Sequence, residues 1–135
     1  MRPMKTIDHV YDSIDIVNNY AIALQKLYYR NERYFDMFTT DDFDGLDNAV
    51  GSADCTWAKT LIQHDNYKEA IKEIEYSLDW FKMMNDKCRR RGWDYNASQR
   101  GFDTTKPIAT VWAYTSMAML ELQEIKRYLQ THQKS

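Results

Sequence analysis

The sequence predicts an all-α fold: a four-helix up-down-up-down bundle with a long first helix and a long loop before the last helix. Three observations carry this prediction. Apolar residues recur every three or four positions over four separate stretches, which is the period of an amphipathic helix and not of a strand. Only four glycines and two prolines occur in 135 residues, too few for the turns that many short strands need. Pro107 stands where a last helix would open, behind the capping candidates Thr104 and Thr105. At this length, with 44% hydrophobic content, residues 1–135 are expected to form one helical-bundle domain around one core.

The first helix is expected over residues 6 to 38. Ile7, Val10, Ile14, Val17, Ala21, Leu24, Tyr28, Asn31, Phe35 and Phe38 step by three and four without a break, and Asn31 is the one polar residue in that seam. Such a helix would extend about 50 Å. The second helix is read from Leu46, Val50, Ala53, Trp57 and Leu61, beginning between 42 and 52 and ending near His64. Asp65 and Asn66 form a short turn. The third helix follows the seam Tyr67, Ile71, Ile74, Leu78, Phe81 and Met84 or Cys88, with Lys68, Lys72, Glu73, Glu75 and Lys82 outside it. The last helix buries Ile108, Val111, Thr115, Ala118, Leu122, Ile125 and Leu129, widened by Trp112 and Met119, and Thr131 to Ser135 form a frayed tail.

Within this pattern, Trp57 and Ala58, the Asp-Asn-Tyr turn at 65 to 67, and Ala70, Ile71, Ile74 and Leu78 stand where a tetratricopeptide repeat places its packing residues. Residues 53 to 80 therefore resemble one hairpin of that repeat. The resemblance implies that the second and third helices pack as an antiparallel pair. No second copy occurs at a period near 34 residues, so a repeat array is not expected.

Charge narrows the function classes. Lys plus Arg number 18 against 20 Asp plus Glu, a net charge of −2, which excludes the electrostatic footprint of a whole-surface nucleic-acid or membrane binder. No apolar run is long enough to span a bilayer, so no membrane contact is expected. The first residues lead into Asp8, Asp12 and Asp15 and not into a signal-peptide core, and two cysteines without CxxC spacing suit a reducing compartment. A soluble, cytoplasmic protein is expected. Its charge is uneven: residues 36–54 carry six aspartates and no basic residue, whereas 88–106 carry a net +3. An up-down bundle would bring these two connections to one end.

The connection from Arg89 to Lys106 is the most informative stretch. Arg89, Arg90, Arg91 and Arg100 are interleaved with Trp93, Tyr95 and Phe102, so guanidinium groups that hold carboxylates or phosphates stand beside rings that stack. A binding patch for a protein partner is expected there. Nucleic acid or a nucleotide is the alternative. The plainer reading is that the loop folds over the bundle end, its arginines meeting the aspartates and the negative C-terminus of the third helix. A second patch is Tyr29, Arg30 and Arg33 on the first helix, a composition typical of interface hot spots. Asn31, inside the heptad seam, could set an oligomeric state, so a homo-oligomer through the helix-one seam is also considered.

Signals for chemistry are thin. Asp42-Phe43-Asp44-Gly45 has the look of a calcium loop, but the position requiring a bidentate glutamate is Gly51. His9, His64 and His132 share no helical-pair spacing, so no metal is expected. Glu121 and Glu124 form a Glu-x-x-Glu pair without the second pair that a magnesium-dependent pyrophosphohydrolase needs. No phosphate-cradling glycine loop occurs, no cofactor is expected, and the sequon Asn96-Ala97-Ser98 has no secretory context. These readings favour a non-enzymatic binding protein: an adaptor, inhibitor or assembly component, with a composition suited to a bacterial or phage accessory protein.

Overall fold

A computed structural model of the chain describes residues 6–30, 55–90 and 107–133. Every regular element among these residues is a helix: α1 (Ile7–Arg30), α2 (Thr56–Gln63), α3 (Tyr67–Arg90) and α4 (Pro107–Thr131). The protein is all-α, as the spacing of apolar residues predicts.

α1 starts where Thr6 caps it. The Thr6 carbonyl and hydroxyl both accept from the His9 backbone N–H, at 3.1 and 3.4 Å, which satisfies one of the free donors of the first turn. Val10, Ile14, Val17, Ala21 and Leu24 are buried along one side, so the predicted seam is a core face of this chain. Asn31, Arg33, Phe35 and Phe38 lie outside the described residues.

α2 departs from the expectation in both start and phase. It opens at Thr56, behind Cys55 with φ 59°, a left-handed backbone that a helix running through from 42–52 would not tolerate. The helix takes its phase from Ala58 and Ile62, which are buried, and not from the predicted Trp57 and Leu61. Trp57 is 54% exposed.

The turn after α2 is set by capping. His64 ends the helix, Asp65 takes φ 59°, the Asp65 N–H donates to Ile62 O at 3.0 Å, and the Asn66 N–H donates to Leu61 O at 2.8 Å. This is a Schellman closure with aspartate in the left-handed position where glycine is most common. Asn66 then opens α3, its Oδ1 accepting from the Glu69 N–H at 3.4 Å. One short turn thus ends one helix and caps the next, which produces the antiparallel pairing that the tetratricopeptide resemblance implies.

Buried residues on α3 are Ala70, Ile71, Ile74, Ser77, Phe81, Met84, Asn85 and Cys88, so Met84 and Cys88 both belong to the core. α4 begins at Pro107 as predicted and buries Val111, Thr115, Ala118, Leu122, Ile125 and Leu129.

Side-chain contacts give the helix directions. Glu75 meets Lys126 at 3.3 Å, and Asn85, ten residues further along α3, reaches Thr115 at 3.0 Å, so α3 and α4 are antiparallel. Tyr20 packs on Tyr114 with ring centroids 5.3 Å apart and faces Glu121, whereas Tyr11 shares the surroundings of Tyr67 with Tyr128. α1 and α4 are therefore antiparallel as well. α2 lies between α1 and α3, through Lys59 to Asp15 at 3.5 Å and the Cys55 thiol donating to Ser77 Oγ at 3.3 Å.

Candidate interaction surface

These directions place the C-terminal ends of α1 and α3 at the same end of the molecule as the start of α4. Four of the sequence-predicted residues fall there: Tyr29 and Arg30 are the last two residues of α1, and Arg89 and Arg90 the last two of α3. Arg89 is exposed. Arg33, Arg91, Trp93, Tyr95, Arg100 and Phe102 lie outside the described residues, as do the acidic segment 36–54 and its predicted meeting with 88–106.

The opposite end is built of tyrosines. Tyr11, Tyr67 and Tyr128 lie near one another, and His132 stacks on Tyr128 with centroids 4.0 Å apart and planes 17° from parallel. Both the His132 backbone N–H and its Nδ1 are bonded to Tyr128 O, at 3.0 and 2.9 Å, so the Nδ1 carries the proton. Lys59 stands 5.5 Å from the centre of the Tyr11 ring while paired with Asp15. Partial burial pushes the Tyr67 hydroxyl above its ordinary range, reinforced by Tyr128, Asp65 and Tyr11. The Tyr20 hydroxyl rises for the same first reason, then through Glu121 and Tyr114. Neither phenol is poised to act as a base near neutral pH.

Glutamates of α3 and α4 have partners of their own. Glu124 pairs with Arg127 at 2.7 Å, Glu69 with Lys72 at 3.1 Å and Glu75 with Lys126, while Glu121 faces Tyr20. Among the described residues no three His, Cys, Asp or Glu side chains converge in a group suited to a metal ion. Cys55 and Cys88 are buried free thiols, and burial pushes Cys88 up to about 12. That thiol has no nucleophilic character at physiological pH.

Two features were missed by sequence reasoning. Large apolar side chains stand on the surface: Tyr76 at 58%, Trp57 at 54%, and Met117 and Leu120 at 49% each. Tyr76 lies off the α3 seam, and its aromatic character is the signal that could have drawn notice. Inside the core, the Asn85 amide donates to Ser116 Oγ at 2.8 Å and Thr115 Oγ1 at 3.0 Å, with Trp112 O at 3.4 Å. Thr115 in turn donates to Val111 O at 2.7 Å. Asn85 falls three to four residues from Phe81 and Cys88, so the period itself marks it as inward.

The sequence matches no protein-family profile, and neither a curated protein nor a solved structure matches it. No described helix is long and apolar enough to cross a membrane.

Proposed function

We propose that the chain is a non-enzymatic, cytoplasmic four-helix protein of up-down-up-down topology that binds a protein partner, as an adaptor, inhibitor or assembly component of a bacterial or phage system. The binding surface in this reading is the end where α1 and α3 finish, continued by the 89–102 stretch. One observation supports it above the others: antiparallel packing of both α1 and α3 on α4 brings Tyr29, Arg30, Arg89 and Arg90 to one end, although 58 residues lie between Arg30 and Arg89. Arginine and tyrosine in one patch are what interface hot spots favour. The helix-one seam is less available for self-association than its periodicity suggests, because Val10 to Leu24 are spent on the chain's own core.

The test is capture of a partner from the native host. Replacing Arg90, Trp93 and Arg100 together by alanine, with helicity checked by circular dichroism, should abolish capture; unchanged capture would remove this end from the proposal. The basic character of Arg30, Arg89 and Arg90 also favours a second reading, binding of nucleic acid or a phosphate-bearing ligand. Salt separates them: phosphate neutralisation makes affinity fall steeply with ionic strength, while an aromatic-centred protein interface responds mildly.

A further inference from the structure

We draw no further inference here: the strongest candidate, the exposed apolar surface of Ile16 on α1 and Met117 and Leu120 on α4 that flanks the Tyr20–Tyr114 contact, is an unpartnered face, and nothing in the structure shows what covers it.

Discussion

Asn85 is the most informative single perturbation of this fold. It is 2% exposed, and its amide bridges α3 to α4 through Ser116 Oγ at 2.8 Å and Thr115 Oγ1 at 3.0 Å. Two net hydrogen bonds of about 1 kcal/mol each, together with about 1 kcal/mol for the void left by truncation, put the cost of Asn85→Ala at about 2–3 kcal/mol. For a domain whose total stability is about 5–15 kcal/mol, that is a large fraction, and at common urea m-values it lowers the midpoint by about 1–2 M. Urea titration followed by far-UV circular dichroism reads this directly. Thr115→Val keeps the shape of the neighbour and removes its hydroxyl, so the cycle N85A, T115V and the double variant should show a coupling of about 1 kcal/mol. Asn85→Leu keeps most of the volume and should cost less than N85A. If N85A shifts stability by less than about 0.5 kcal/mol, or if the two substitutions add without coupling, the amide bridge does not hold these helices together in the way the distances indicate.

Two further expectations concern the turn and the buried thiol. Asp65 sits at φ 59° where glycine has no steric penalty, so Asp65→Gly should be neutral or raise stability by up to about 1 kcal/mol, while Asn66→Ala, which removes the cap on Glu69, should lower it by about 1 kcal/mol; thermal or urea unfolding of both variants checks this pair. Cys88 is raised from 9.0 to about 12 by burial, so above pH 9 the unfolded chain sheds a proton that the folded chain keeps, and stability falls as pH rises between those two values. The slope from this one group is at most about 1.4 kcal/mol per pH unit, and it should be absent below that window and absent from Cys88→Ala. Tyr20 and Tyr67, also raised, act in the same direction in both proteins, so the difference in slope between them isolates the thiol.

How far the sequence could be read depended on helix length. Over α1, α3 and α4, each about seven turns long, many seam positions vote on one phase, and Val10 to Leu24, Ile71, Ile74, Phe81, Met84 and Cys88, and Val111 to Leu129 are buried as their spacing predicts, while the seam residue Leu78 is half-buried and Ser77 beside it is buried. α2 has eight residues, and two apolar residues next to each other compete for the inward place. Trp57 is the more hydrophobic of that pair by size, yet Ala58 is fully buried and Trp57 is 54% exposed. The left-handed Cys55 was likewise invisible, since nothing in a cysteine signals a positive φ. Of the predicted surface, Tyr29, Arg30, Arg89 and Arg90 could be assigned to helices because they belong to long periodic stretches. The exposure of Tyr76 and Trp57 could not, because a heptad count identifies what faces the core and leaves the remaining apolar residues without an assignment.

The polar groups of α3 explain why one helix organises the rest. A purely apolar seam of this length would tolerate sliding of its neighbours by a turn, since Ile, Met and Phe contacts are non-directional. Ser77 and Asn85 remove that freedom on two sides at once: Ser77 accepts from Cys55 at 3.3 Å towards α2, and Asn85 donates to Ser116 and Thr115 towards α4. Slipping α4 by one turn would take Ser116 and Thr115 away from the buried Asn85 amide, a cost of about 1–3 kcal/mol.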